Sequence, residues 1–129
     1  MMYLADSHAL FWFLTQNPKI GKNAHKAFIE AEEGKASIII PSIVLVELLG
    51  ICEKKNSAGQ FTEILKKIEE NPHYTILALD VEVVKQLPHM QQIPELHDRI
   101  IAASAIVTQT KLLTKDHEII QSGYVETIW

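Results

Sequence analysis

The sequence predicts an α/β fold, a three-layer α/β/α sandwich around a mainly parallel central sheet. Short apolar segments alternate with longer segments of helical character, as in proteins built from strand–helix–strand units. The strand segments are continuous apolar runs, which indicates that both faces of the sheet are covered. The chain has 129 residues and no long linker or internal repeat, so a single domain spanning residues 1–129 is expected.

The predicted strands are short segments rich in β-branched and large apolar residues. In chain order they are residues 2–5, 36–40, 74–79 and 111–114, with residues 124–129 as a last strand or tail. A polar residue or a proline follows each of the first four segments, and such residues typically mark the ends of strands.

The predicted helices lie between the strands and have amphipathic or apolar character. They are residues 7–14, residues 23–33, a segment beginning at Ser42, and residues 59–71, 81–87, 98–109 and 116–122. Gly34 is placed to close the second helix, and Ser42 to cap the third. Residues 87–97 are expected to be irregular.

The overall charge argues against a protein that binds nucleic acid by charge alone. The net charge is −4, whereas such proteins are usually basic. A role on nucleic acid would therefore need a metal ion, a partner's charge or a transient contact. The composition, 47% hydrophobic and 22% charged, is that of a globular protein and excludes disorder.

Cysteine content and apolar runs predict a soluble cytoplasmic protein without a membrane segment. Cys52 is the only cysteine, so no internal disulfide is possible, which favours a reducing compartment. The N-terminal residues have no basic leader and no cleavage site typical of a signal peptide. The longest apolar run, residues 36–52, is interrupted by Pro41 and Glu47 and is short for a membrane span.

Glu47 is the only carboxylate in the apolar run "PSIVLVELLG". A helix of this composition is expected to be mostly buried, and an unpaired buried carboxylate is costly. Two interpretations are open from the residues alone. Glu47 either faces water in one stripe with Gly50 and Lys54, or it serves a site.

Acidic residues follow the predicted strands at the edge where ligands of parallel sheets bind. Asp6, Asp80 and Asp116 each follow a strand, Asp98 opens an apolar helix, and Glu47 could lean back to the same edge. Each aspartate alone is explained as a helix N-cap. Together, converging carboxylates would need a counter-charge, and oxygen ligands favour Mg²⁺ or Mn²⁺.

Other chemistries find less support in the sequence. The five glycines form no phosphate-binding loop, and there is no Gly-x-Ser-x-Gly motif. The six histidines are scattered without zinc-ligand spacing. His97 and His117 adjoin two of the acids, but solvent exposure is the simpler explanation of both. Cys52 lies among apolar residues and is expected in the core.

Four segments together resemble the PIN-domain family. They are "YLADSHALFWFL", "IIIPSIVLVELLG", "IPELHDRIIAASAIV" and "KLLTKD". Their order and spacing are most similar to the VapC-like toxin ribonucleases of type II toxin–antitoxin systems. The resemblance covers essentially the whole chain, and "HDRIIAASA" before "LLTKD" is its strongest part.

The resemblance implies a set of site residues. Asp6, Glu47, Asp98 and Asp116 match the four acids of the family, and are expected both to ligate Mg²⁺ (or Mn²⁺) and to be catalytic. Asp80 matches no family acid and returns to its role as an N-cap. By the same resemblance, Ser7 stands where the family often has threonine, so the hydroxyl is retained. Thr114 is expected to hydrogen-bond the acidic cluster.

The activity that the resemblance implies is metal-dependent endoribonuclease activity, in which a metal-activated water hydrolyses RNA phosphodiester bonds. It also implies a homodimer and a cognate antitoxin protein, with DNA reached only through the antitoxin. An alternative is a chain that acts mainly as an antitoxin-binding partner, with weak or no nuclease activity. A third, less favoured, is a phosphatase or receiver-type domain using one aspartate.

Two further features bear on these expectations. Arg99 is expected to pair with Glu47 or Asp116, because arginine–carboxylate pairs are common where acids crowd; contact with a substrate phosphate is the alternative. The aromatic run Phe11, Trp12 and Phe13 could line an antitoxin contact, although core packing is expected for two of the three.

Overall fold

The computed structural model describes all 129 residues and is built around a five-stranded sheet. Its strands are β1 (Met2–Ala5), β2 (Ser37–Pro41), β3 (Tyr74–Leu77), β4 (Lys111–Leu113) and β5 (Thr127–Ile128). The order across the sheet is β3-β2-β1-β4-β5, and every neighbouring pair is parallel. The predicted α/β fold with a mainly parallel sheet is confirmed.

Seven α-helices connect the strands. They are α1 (Ser7–Leu14), α2 (Lys22–Glu32), α3 (Ser42–Lys54), α4 (Ala58–Glu70), α5 (Val81–Gln86), α6 (Leu96–Thr108) and α7 (His117–Ser122). A short 3-10 turn, Leu87–His89, follows α5, so only part of the segment predicted to be irregular lacks helical structure. None of the helices combines the length and the apolar character that crossing a membrane requires.

The strand order creates a switch point between β1 and β4. From β1 the chain moves outward through β2 to β3, and then returns to the other side of β1 for β4 and β5. In the register, Leu4 lies opposite both Ile39 and Leu112. The carboxyl ends of β1 and β4 are therefore neighbours, at the position where parallel sheets form ligand crevices.

The core fills both faces of the sheet with apolar side chains. The largest fully buried residues include Leu4, Ile38, Ile40, Leu112 and Leu113 from the strands. Burial of successive strand residues explains why these segments are apolar without alternation. The helices add buried side chains, such as Phe28 on α2, and both α1 and α6 have runs of consecutive buried residues.

The burial of α3 differs from the expectation of a mostly buried helix. Only Val44, Leu48 and Cys52 are buried, four residues apart along one stripe, whereas Val46 is 60% exposed. The helix packs with one side on the rest of the chain, so Val46 and Leu49 face outward, while Ile43, Leu45 and Ile51 are partly buried against the core. Cys52 lies in the core, as predicted.

Two residues that were predicted to cap or open a helix do not do so. Ser42 does not cap α3, because Pro41 is the N-cap and no side chain bonds there. The strand β2 runs directly into this helix, which leaves no room for a separate capping residue. Asp98 does not open α6, which begins at Leu96 and places Asp98 in its first turn. Gly34 closes α2 as predicted, with a φ of +76° that suits glycine.

Candidate metal centre

The four acids singled out from the sequence line one cavity of about 400 Å³. Asp6 follows β1, and Asp116 lies three residues past the end of β4. Glu47 comes from the second turn of α3 and Asp98 from the first turn of α6. Asp80 does not line the cavity; it caps α5 by accepting a hydrogen bond from Val83 N at 3.2 Å. The fold therefore gathers the four acids and leaves the fifth in its structural role.

Asp6 is held rigidly and is almost fully buried. Its Oδ1 accepts a hydrogen bond from Ala9 N at 2.9 Å as the N-cap of α1, and the residue is 8% exposed. The pKa of Asp6 is raised to about 6, mainly by burial; the charges of Glu47 and Asp116 add to the rise, and hydrogen bonds from Thr114 and Ala9 oppose it. Ionised Asp6 is therefore costly unless a cation is nearby.

Asp116, which follows the neighbouring strand β4, is also oriented by a helix cap. Its Oδ1 accepts from Ile119 N at 3.0 Å as the N-cap of α7. Its own backbone N–H donates to Thr114 Oγ1 at 3.0 Å. Thr114 is fully buried and contributes to holding both Asp6 and Asp116. The expected hydrogen bonding of Thr114 to the acidic cluster is confirmed.

Glu47 enters the cavity with one oxygen that has no partner. Its side chain is 22% exposed, and Oε2 lies 3.6 Å from Nδ1 of His97. The other oxygen, Oε1, is buried without a hydrogen-bond partner. Burial raises the pKa of Glu47, while the nearby Ser7 hydroxyl and His97 lower it. The sequence left two interpretations of Glu47 open. In the structure its side chain is mostly buried and lines the cavity instead of facing water.

Asp98 has no capping role, and other carboxylates surround it. The pKa of Asp98 is raised to about 6, first by burial and then by the negative charges of Asp116, Glu95, Glu47 and Asp6. Glu95 also lines the cavity and was not singled out from the sequence. Its place directly before the helix that carries Asp98 was the available signal.

No lysine or arginine forms an ion pair with these acids, and His97, 3.6 Å from Glu47, is the one basic side chain paired with the cluster. The expected pairing of Arg99 with Glu47 or Asp116 is wrong, because its Nε donates to the carbonyl of Ile93 at 2.6 Å and it forms no ion pair. Arg99 follows Asp98 directly, and neighbouring helical residues point in different directions. Lys115 lines the cavity but also forms no ion pair.

The donor set suits a hard divalent cation. Oxygen ligands from carboxylates are those that Mg²⁺ and Mn²⁺ prefer, and the orphaned Glu47 Oε1 is a buried acceptor without a donor. In this arrangement no three acidic, histidine or cysteine side chains converge on a single ion position. Mg²⁺ usually keeps several waters and takes one or two carboxylates directly. Carboxylates that do not converge on one position therefore fit an ion that keeps part of its hydration shell.

The remaining sequence candidates lie close to the cavity or in the core. His8 and His117 line the cavity, and His97 is both half exposed and close to Glu47. Phe11 and Trp12 are core residues, which confirms core packing for two of the three aromatics. Phe13 is half-buried and stacks on a buried phenylalanine of α2.

Comparison with known proteins agrees with this architecture. The family model of the PIN domain matches residues 3–122. A search of curated protein sequences finds no match.

Several solved structures share the fold. The DNA-bound VapBC2 of Rickettsia felis is 18% identical, with a TM-score of 0.76 over 99% of this chain and 98% of that one. DNA-bound VapBC of Salmonella typhimurium is 14% identical, with a TM-score of 0.73 over 99% and 97%. The Mycobacterium tuberculosis toxin VapC20, which cleaves the sarcin–ricin loop, is 12% identical, with a TM-score of 0.67 over 96% and 97%. Identities this low show the fold alone, whereas the family match covers most of the chain: this protein belongs to the PIN-domain family.

Proposed function

We propose that this chain is a Mg²⁺- or Mn²⁺-dependent endoribonuclease and the toxin of a VapBC-type toxin–antitoxin pair. The observation that carries the proposal is the gathering of Asp6, Glu47, Asp98 and Asp116 in one cavity, where no lysine or arginine forms an ion pair with them. A cavity of this kind attracts a dication, and a dication makes it acceptable to a phosphodiester.

The carboxylates have distinct parts in this proposal. Asp6 and Asp98 are the main ligands, and Glu47 and Asp116 complete the set. The helix caps engage Oδ1 of Asp6 and of Asp116, so the second oxygen of each remains available to the ion. When bound, the ion would lower the pKa of a water and offset charge on the phosphate.

RNA is the proposed substrate, and a relative supports it. VapC20 of Mycobacterium tuberculosis cleaves the sarcin–ricin loop and shares this fold over most of both chains. The acidic surface is compatible with RNA only if an ion converts the cavity into a phosphate site. A ribonuclease of this kind would act in the cytoplasm, where its substrate is.

The partner proposed for the chain is an antitoxin protein. Solved relatives are VapBC complexes, two of them bound to DNA, which supports a complex that reaches DNA through the antitoxin. A cavity of about 500 Å³, lined by apolar residues that include Phe13, Ile20 and Ile29 and by polar ones, offers a mixed surface for such a partner.

A homodimer is also proposed, and exposed apolar residues support it. Val46 on α3, Val81 and Val84 on α5 and Leu96 on α6 are 47–61% exposed. Both α3 and α5 pack on α6, so the three helices that carry these residues are neighbours. We refer to these four residues as the α3–α5 surface. Apolar surface of this kind commonly marks a protein–protein contact.

A second candidate function is favoured by one observation. No three side chains converge on one ion position, as expected of a chain that serves mainly as an antitoxin-binding partner and cleaves RNA weakly or not at all. The two candidates differ in the amount of cleavage by the free chain.

The test is cleavage of total RNA with added Mn²⁺, with and without EDTA. We expect cleavage by the wild-type chain, its loss in EDTA, and a loss of at least about a hundredfold in Asp98→Asn, the scale typical of removing one electrostatic catalytic group. Asp80→Asn makes the same chemical change at a cap outside the cavity and should retain activity. Activity retained in Asp98→Asn, or equal loss in both variants, contradicts the assignment.

A further inference from the structure

A cluster of basic and aromatic side chains borders the acidic cavity, and the assignment of the four acids does not account for it. Its centre is the indole of Trp12, over which Lys115 Nζ lies 4.6 Å from the ring centroid. Lys19 Nζ lies 5.9 Å from the same centroid. The His8 and Trp129 rings pack against this indole at 5.2 Å and 5.9 Å. We call these five residues the rim cluster.

The two lysines hold their charge beside the cavity without neutralising it. Lys115 lines the cavity and precedes Asp116, yet its ammonium group lies over Trp12 and forms no ion pair with any carboxylate. Lys19 is likewise unpaired. Both side chains are exposed, so two positive charges remain available to a ligand.

The rest of the cluster fixes the position of these charges. Lys19 N donates to Asn17 Oδ1 at 2.9 Å, which closes the turn that carries Lys19. Trp12 is 8% exposed and belongs to the core, so it is a rigid support. Gly21 allows Trp129 to pack close by, because a Cβ at Gly21 would lie 2.6 Å from the Trp129 backbone.

We propose that Lys19 and Lys115 bind the backbone phosphates of the RNA strand that flank the phosphate held over the acidic cavity. The inference rests on the proposed nuclease function and adds the residues that position the strand. A cation–π contact at an exposed site is weaker than an ammonium–phosphate contact, so the lysines can exchange the indole face for phosphate.

Charge favours a polyanionic strand as the ligand of the rim cluster. The chain has a net charge of −4, and an ion in the cavity offsets charge at the cleavage position alone. The neighbouring phosphates of a strand therefore need local cations. Lys115 lines the cavity itself, and Lys19 lies on the same indole, so both charges are close to the path of a strand leaving it.

The experiment measures binding of a labelled single-stranded oligoribonucleotide in Mg²⁺ buffer over a range of potassium chloride concentrations. The parent is the wild-type chain, and the oligoribonucleotide carries phosphorothioate linkages that slow its cleavage, because Asp98→Asn would also lose the ion that makes the cavity acceptable to phosphate. Adding Lys19→Ala and Lys115→Ala should lower the slope of log affinity against log salt by about 1.4, because each phosphate contact on a single strand contributes about 0.7. All sequences should be weakened alike.

The matched control combines Lys66→Ala and Lys85→Ala. It removes the same total charge from exposed lysines that pair on α4 and α5, and should leave the slope unchanged. The double substitution Lys19→Arg and Lys115→Arg keeps the charge and should also retain the slope. An equal loss in the control pair would mean that only net charge matters, which overturns the proposal.

Cleavage kinetics on an oligoribonucleotide without these linkages give a second readout. Lys19→Ala with Lys115→Ala should raise KM with kcat little changed, as expected when a contact made equally in the ground and transition states is removed. The inference is contradicted if the double lysine variant shows both an unchanged KM and unchanged RNA binding, or if the parent chain binds no RNA. If the variant retains RNA binding but loses affinity for a glutamate-rich peptide, the lysines serve a protein partner and the inference is wrong.

The outcomes separate this inference from the proposed function. RNA cleavage by the wild-type chain without any effect of the lysines would leave the nuclease assignment intact and remove the rim cluster from it. Lysine-dependent binding of RNA without any cleavage would support the rim cluster and contradict the nuclease assignment.

Discussion

At the scale of single residues, Asp6 carries a cost that the metal-free chain does not offset. The residue is almost fully buried, and its pKa of about 6 exceeds its ordinary value. The folded chain therefore binds a proton at Asp6 more tightly than the unfolded chain does. The resulting stability is fully present below the unfolded pKa, near 4, and is lost as the pH rises through the folded pKa, near 6.

The first prediction concerns this charge. In EDTA at pH 7, the free energy of unfolding of Asp6→Asn, measured by urea titration, should exceed that of the wild type by up to about 3 kcal/mol. The reason is that asparagine keeps the N-cap without the buried charge. Near pH 4 the difference should vanish. Asp80→Asn, at a more exposed cap, is the control and should show no such gain. A less stable Asp6→Asn at pH 7 would contradict the account.

The positions of some site residues could be predicted from the sequence, whereas the directions of other side chains could not. Asp6 and Asp116 follow apolar strands, so their meeting at one edge was predictable from the order of the elements. The direction of Glu47 was not, because a stripe with Gly50 and Lys54 fits a helix equally well; the resemblance to a family decided it. The contacts of Arg99 and Lys115 depend on side-chain rotamers, which the sequence pattern does not specify.

At the scale of elements, the strands were predicted closely because their apolar runs are continuous. The observed β2 is shifted by one residue, and β3 ends two residues earlier than predicted. The starts of α3 and α6 were less predictable, because no side-chain hydrogen bond caps either helix. Burial of α3 was overestimated, since a helix at the surface can be as apolar in composition as a buried one.

The second prediction concerns the contact between Gly21 and Trp129. Gly21→Ala should displace Trp129 from Trp12, because the added Cβ would lie 2.6 Å from Trp129 atoms. The near-UV circular dichroism of the two indoles, which pack edge to face, should weaken while the far-UV spectrum is retained. Gly50→Ala meets no atom within 4 Å and should instead stabilise α3 by up to about 1 kcal/mol. An unchanged near-UV spectrum in Gly21→Ala would show that the close contact at Gly21 does not hold Trp129 in place.

At the scale of the whole molecule, the sheet topology brings residues distant in sequence to one cavity. The switch point between β1 and β4 places Asp6 beside Asp116, and two helices add Glu47 and Asp98. The same arrangement leaves the α3–α5 surface exposed, and this surface is where two chains are proposed to assemble.

The third prediction tests this assembly. Sedimentation equilibrium should give a dimer for the wild type and a monomer for the combination of Val46→Asp and Val81→Asp, because burying two new carboxylates in an interface is costly. Ile120→Asp introduces one carboxylate on α7 at a residue that is 44% exposed, and should remain dimeric. A monomeric wild type, or a dimer that survives both changes on the α3–α5 surface, would contradict the proposed interface.

The central claim is that the four carboxylates hold a divalent cation, and anomalous diffraction from crystals soaked in Mn²⁺ tests it most directly. The account predicts a manganese peak in the cavity, within direct or water-mediated reach of Asp6 and Asp98. The peak should be absent from Asp98→Asn crystals and present in Asp80→Asn crystals. A cavity without manganese in the wild type, or a peak that Asp98→Asn leaves unchanged, would contradict the account.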